Sequence, residues 1–260
     1  MPSSSPRRIA MPAIARPSAS PFTPDVAVVV PVHDEAGNAA ALAREIAAAF
    51  SGRSFEVIFV DDASRDSTRS ELLAAREDVP QLRVLSHTRN AGQSRAVQTG
   101  ILAARAPVVV TLDGDGQNPP FEAPKLVDAL IEAGPRVALV GGERVDRQDT
   151  ASKRSASRLA NGIRKWLLKD SANDTGCGLK AMRRDVFLRL PYFDHMHRYL
   201  PALVIREGYQ CRFLPVSHRA RGEGRSKYTN LGRLWAALSD LIGIMWLRSR
   251  GRLTGQIEEH

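Results

Sequence analysis

A chain of 260 residues, 43% hydrophobic and 25% charged, can bury an ordinary globular core, and its length fits one domain or a domain with an appendage. Its net charge of +9 favours anionic partners (nucleic acid, anionic lipid or phosphorylated small molecules) without choosing among them. No apolar run approaches the roughly 20 residues that span a bilayer, and Cys177 and Cys211 lack metal-ligand spacing, which favours buried thiols in a reducing cytosol over a disulfide.

Met1–Pro24 is rich in Ser, Pro, Ala and Arg and lacks the apolar core of a secretory signal. It reads as a disordered tail, or as the result of a start site placed upstream of Met11, with a transit peptide the weaker option. Order begins at Asp25. Val26–Val30 is a buried strand, Asn38–Phe50 an alanine-rich helix, and Phe55–Val60 a second strand that ends on Asp61-Asp62. Asp66–Arg76 is helical, Leu82–Leu85 a short strand, Gln93–Arg105 a helix and Val108–Leu112 a buried strand; Phe121–Ala133 and Val137–Val140 add one more helix and strand. This alternation predicts an α/β fold with parallel βαβ units.

After Gly141-Gly142 the pattern loosens. A stretch dense in Arg and Lys leads to a predicted helix over Lys153–Leu168, then a less regular half with elements at Gly176–Ala181, Val186–Leu190, Leu200–Glu207 and Gln210–Val216. A final helix spans about Asn230–Leu247, where Leu231, Leu234, Trp235, Leu238, Leu241, Ile242 and Met245 predict one apolar face, widened by Ile244, Trp246 and Leu247. Arg248, Arg250 and Arg252 follow. Such a helix either packs on the domain or lies in a lipid interface, anchored by Trp235, Trp246 and the arginines; we favour the interface.

In an open parallel sheet, ligands bind beyond the carboxyl ends of the strands. Three strand ends here deliver polar groups: Pro31-Val32-His33-Asp34-Glu35, Asp61-Asp62-Ala63-Ser64 and Asp113-Gly114-Asp115-Gly116-Gln117. A diphosphate-bound Mg²⁺ or Mn²⁺ needs only one or two protein carboxylates, and two acids plus an amide at alternate positions can supply them. A calcium loop would need a bidentate Glu at its twelfth position, which here is Pro124. A capped turn before Pro119-Pro120 is the bland alternative; the motif's place after a strand, beside two other polar strand ends, argues against it.

These residues resemble glycosyltransferase family 2, and within it the polyprenyl-phosphate glycosyltransferases of the dolichol-phosphate-mannose synthase type. The likeness runs from Val26 to about Leu247. It rests on Val30–Glu35, Val60–Ser64, Arg-Asn-Ala-Gly-Gln at Arg89–Gln93, Leu112–Pro120, Asp-Thr-Gly-Cys-Gly at Asp174–Gly178, and Arg221–Tyr228. The resemblance implies a GT-A fold, a mostly parallel sheet flanked by helices with a less regular acceptor-side half. It divides the chain into a tail over 1–24, a transferase domain over 25–229, and a C-terminal amphipathic helix and basic tail over 230–260.

It also implies roles. Pro31, His33 and Glu35 would line the nucleoside pocket; Asp61 would read the base edge, with Phe59 near it. Asp113 and Gly114 would contact the nucleotide, and Asp115 and Gln117 would bind the metal. Arg144 would meet a donor or acceptor phosphate, and Arg221 and Lys227 would fold over the diphosphate. Many family members place Tyr where this chain has His33, which puts the detailed contacts of that ring in question.

The implied reaction is inverting transfer of a hexose-type sugar from a nucleotide-diphosphate sugar to a polyprenyl phosphate. The implied setting is cytoplasmic, peripheral on the cytoplasmic face of the inner or plasma membrane. A phosphate acceptor is already an anionic nucleophile and needs charge neutralisation, for which Arg144, Arg147, Lys153, Arg154 and Arg158 are placed to serve, although any one of them could equally belong to a solvated helix face. A sugar-hydroxyl acceptor would instead require a carboxylate base, for which Asp174 is the candidate; a loop residue bonded to backbone is the slightly favoured reading of that side chain. A nucleic-acid module is disfavoured by 6% aromatic content, no recognised motif and a carboxylate-rich strand edge, and a donor-binding protein without catalysis is the remotest reading.

Overall fold

The structure is a computed structural model that describes residues 23–145, Ala172, Asp174, residues 176–219 and residues 230–251, with backbone alone for 230–238. The elements run β1 (Val26–Val32), α1 (Ala39–Ala49), β2 (Phe55–Asp61), α2 (Thr68–Ala74), β3 (Leu82–Ser86), α3 (Gln93–Ala103), β4 (Val108–Thr111), α4 (Ala123–Glu132) and β5 (Val137–Arg144). They continue with β6 (Lys180–Arg183), a short α5 (Arg184–Phe187), α6 (Leu200–Arg206), β7 (Gln210–Val216) and α7 (Asn230–Ser249).

One seven-stranded sheet is formed in the order β3-β2-β1-β4-β6-β5-β7. Strands β1 to β4 pair in parallel, β5 pairs in parallel with β7, and β6 lies antiparallel between β4 and β5. Successive side chains of a strand face opposite sides of the sheet, and β1 shows why it must be covered twice. Val28 and Val30 enter a core with Leu42, Ile46 and Phe50 of the α1 region and with Leu126 and Leu130 of α4. Ala27 and Val29 enter another with Val97 and Ile101 of α3, Phe187 of α5 and Leu203 of α6. A continuous apolar run is what such a doubly covered strand requires.

The directions of the strands fix the site. Because β6 is antiparallel, its start reaches the same edge as the ends of β1, β2, β4, β5 and β7. The segment that precedes β6, Asp174–Gly178, is thereby laid beside the turn that follows β4.

Some expected boundaries shift. Helix α2 starts at Thr68 and not Asp66, because the Asp66 carboxylate accepts the Thr68 N–H at 3.0 Å and acts ahead of the helix. Strand β5 continues past Val140 through the glycine pair, which makes Arg144 its last residue. In α7 the inward side chains are Leu241, Ile244 and Leu247, whereas Ile242, Met245 and Trp246 are 67%, 41% and 59% exposed. Leu241 and the Ile242–Met245 pair therefore lie on different faces, which corrects the single face read from the sequence. The Lys153–Leu168 helix lies outside the described residues, and among those that are described no helix is long and apolar enough to cross a membrane.

Candidate active site

The loops after β1 and β2 are tied together before any ligand is considered. Asp34 N–H donates to Ser64 Oγ at 3.0 Å, Arg65 N–H to Asp34 Oδ1 at 2.8 Å, and Glu35 N–H to Thr68 Oγ1 at 2.8 Å. His33 Nδ1 donates to the Asp62 carbonyl at 2.9 Å, which orients the ring. Asp61 is 2% exposed and accepts the Ser64 N–H at 2.9 Å, so it shapes this turn. Phe59 is 0% exposed inside the core, and a side chain with no free surface cannot touch a base. It packs beneath the loops, a correction to its expected place in the pocket. Pro31 is also buried, and its carbonyl backs Gly114.

Asp62, to which the sequence reading gave no role, organises the Arg89–Gln93 motif. Its carboxylate accepts the Ala91 and Gly92 N–H groups at 2.9 and 2.8 Å and pairs with His87 Nδ1 at 2.7 Å. Burial pushes its pKa upward, but His87 and the two amides outweigh that and hold it below the usual carboxylate value. The loop so held starts α3 and delivers Gln93, whose Nε2 donates to Asp113 Oδ1 at 2.8 Å.

The turn after β4 rests on two glycines. A Cβ on Gly114 would lie 2.5 Å from Val32 Cγ1 and 2.7 Å from the Pro31 carbonyl oxygen. A Cβ on Gly178 would lie 2.2 Å from Asp113 Oδ2. The first approach, against backbone, excludes a side chain, and the second seats the Asp113 carboxylate directly on the segment before β6. Burial raises the Asp113 pKa, and the negative charge of Asp115 raises it further, against the opposing influence of Lys180, Arg144 and Gln93. Asp115 Oδ1 accepts the Gln117 N–H at 3.1 Å, and Arg219 N–H donates to the Gln117 carbonyl at 2.9 Å, so the end of β7 also holds this turn.

Opposite stand two cations. Arg144 Nε and Nη2 donate to Asp174 Oδ2 and Oδ1 at 2.6 and 2.8 Å, a bidentate pair with both side chains largely buried. That hydrogen bonding raises the Arg144 pKa. Lys180 is 5% exposed, its Nζ bonds to the Cys177 carbonyl, and burial lowers its pKa. The sequence reading passed over Lys180, although a lysine at an inward position of β6, two before the buried Met182, was a usable signal. Cys177 and Cys211 are both free thiols; Cys177 is buried, whereas Cys211 is only half-buried, a correction to the expected pair of buried thiols. Burial pushes the Cys177 thiol upward, which keeps it unreactive.

The described residues include no cluster of three or more His, Cys, Asp or Glu side chains suited to a metal. Arg221 and Lys227, together with Arg147, Lys153, Arg154 and Arg158, lie outside the described residues.

Residues 27–190 match the family model Glycosyl transferase family 2. The chain belongs to glycosyltransferase family 2. Its family-2 relatives include undecaprenyl-phosphate 4-deoxy-4-formamido-L-arabinose transferases of Edwardsiella ictaluri, 37% identical over 84% of this chain and 66% of that one, and of Pseudomonas aeruginosa, 35% identical over 85% and 65%. The chain thus spans just under two thirds of these relatives' length. Among solved structures it is similar to glucosyl-3-phosphoglycerate synthase of Mycobacterium tuberculosis with Mn²⁺, UDP-glucose and phosphoglyceric acid, at a TM-score of 0.64, 18% identity, and coverage of 89% and 82%. It is also similar to a mannosyltransferase of Pyrobaculum calidifontis with GDP-mannose and Mn²⁺, at a TM-score of 0.60, 22% identity, and coverage of 79% and 59%. These likenesses bear out the expected family and the GT-A α/β fold.

Proposed function

We propose that this chain transfers a sugar, with inversion, from a nucleotide-diphosphate sugar to a polyprenyl phosphate of the dolichol or undecaprenyl type. The observation that carries this reading is the Arg144–Asp174 pair. Both oxygens of Asp174 are held by the guanidinium, so the best-placed carboxylate of the acceptor half serves as an anchor and is poorly suited to act as a base. A hydroxyl acceptor would need that base; a phosphate needs the cation instead.

In this mechanism His33, Glu35 and Asp61 form the wall and turn that receive the nucleoside, and Asp113 and Gly114 receive the ribosyl diphosphate. Asp115 and Gln117 would hold Mg²⁺ or Mn²⁺, which when bound supplies Lewis-acid stabilisation of the departing nucleoside diphosphate. Arg144 orients the acceptor phosphate. An oxygen of that phosphate forms a bond to the anomeric carbon as the bond to the donor diphosphate breaks, and the electron pair leaves on the diphosphate. Arg221 and Lys227 would neutralise that charge, a role that rests on the resemblance. The undecaprenyl-phosphate transferase names of the relatives support the acceptor class.

A lipid acceptor must be met at a membrane surface. The outward Ile242, Met245 and Trp246 of α7, followed by Arg248 and Arg250, suit peripheral contact with anionic lipid on the cytoplasmic face. The test combines a thermal-shift panel of nucleoside diphosphates and their sugars, with and without Mn²⁺, with a transfer assay on undecaprenyl phosphate. Metal-dependent stabilisation by one nucleotide and a lipid-linked sugar product are expected. Transfer to a soluble sugar hydroxyl with none to the lipid phosphate would overturn the reading.

A further inference from the structure

Lys180 stands directly across from Thr111 in the β4–β6 ladder, and Thr111 Oγ1 donates to the Gly178 carbonyl at 2.7 Å. Paired residues share a face of the sheet, and so does the residue two positions further along. The alternation continues through the turn: Leu112 joins the core beneath α1 and α4, so Thr111, Asp113 and Lys180 face the α3 side. Gln93 bonds to Asp113 from α3, and Lys180 influences both Asp113 and His197, which meets Ser94 of α3 at 2.7 Å. A buried ammonium costs several kcal/mol unless anions and acceptors surround it. Here they are the Cys177 carbonyl and the Asp113 and Asp174 carboxylates, with Arg144 the opposing cation.

We propose that Lys180 is a positioning residue for the metal-binding turn: its buried ammonium, tied to the Cys177 carbonyl, holds the Asp113 carboxylate on Gly178 and thereby sets the aim of Asp115 and Gln117. The proposal rests on the reading that Asp115 and Gln117 bind a divalent cation. It differs in sign from what charge alone dictates. An ammonium near the site repels a divalent cation, so as a mere spectator its removal would tighten metal binding. As the residue that positions the turn, its removal loosens it.

The test measures Mn²⁺ binding by the full chain from the electron-paramagnetic-resonance signal of free Mn²⁺, with UDP or GDP present. Lys180→Met removes both donor and charge and is expected to weaken Mn²⁺ binding about tenfold or more; Lys180→Gln, which keeps a donor for the Cys177 carbonyl, recovers part of the loss. Mn²⁺ binding by Lys180→Met that is equal to or tighter than wild type overturns the proposal and leaves the functional reading standing. Absence of binding by the wild-type chain with either nucleotide overturns both. Should Lys180→Met not fold, Lys180→Gln decides: weaker binding than wild type supports the role, and equal or tighter binding overturns it.

Discussion

Two regions build one edge of this sheet by different means. On the β3-β2-β1-β4 side all strands are parallel, so every chemical group arrives at a strand's carboxyl end, and adjacent loops are locked by short hydrogen bonds such as Asp34 to Ser64 and Asp62 to the Gly92 amide. On the β6-β5-β7 side the antiparallel β6 reverses the chain. There the groups come from before a strand, and side-chain pairs such as Arg144 with Asp174 hold them. The first region gathers carboxylates and backbone groups at the edge, and the second gathers buried cations. The parallel side can be recognised from local motifs, whereas the other side exists only once β6 is in place.

This contrast can be broken at its centre. Asp115→Ala is expected to lower metal-dependent turnover by about 10³-fold, the scale of losing a preorganised electrostatic contact; an Mn²⁺ titration of a variant that keeps full activity would remove Asp115 from the site. Phe59→Ala should cost about 3–5 kcal/mol of stability in denaturant unfolding, as a truncated core aromatic does. A normal unfolding midpoint with weakened nucleotide binding would return Phe59 to the pocket wall.

The β6-β5-β7 side gives smaller effects. Arg144→Ala should reduce kcat/KM for the lipid phosphate about 100-fold while nucleotide affinity, read by calorimetry, stays within about twofold. Asp174→Asn should cost only about tenfold, because the amide oxygen still accepts one guanidinium bond. Complete loss of turnover with intact donor and acceptor binding would instead make Asp174 the base for a hydroxyl acceptor.

A last effect probes the join between the regions. His197 is held to about pKa 3 by burial, from an ordinary 6.5, while its Nδ1 meets Ser94 Oγ at 2.7 Å. The unfolded chain therefore binds the proton first as pH falls. Stability is fully present above about 6.5 and declines towards pH 3, by at most about 1.4 kcal/mol per unit. His197→Gln should flatten the fall in Tm between pH 6.5 and 4.5; an unchanged slope would mean that other groups set the acid limb.

Much of this was legible in the residues. Buried strands show as continuous β-branched runs, so β1, β2 and β4 were found, and the acids after them located the edge. The end of β5 was missed because a glycine pair ordinarily signals a turn, whereas here it extends a strand. Asp62 was passed over because its partners, His87, Ala91 and Gly92, lie more than twenty positions away. The faces of α7 were blended because a helix with apolar residues on most positions has no unique inward stripe until it docks.

The family, the α/β alternation and the acidic turn at Asp113–Gln117 could be read from the chain alone, because strand periodicity and a short acidic motif are local properties of a few adjacent residues. It takes the folded chain to show that β6 runs backwards, that Gly178 is the seat of the Asp113 carboxylate, that Asp174 is committed to Arg144, and that Lys180 is buried beside them. Those facts depend on which strands become neighbours and in which direction, and burial and pairing between distant residues follow from that choice.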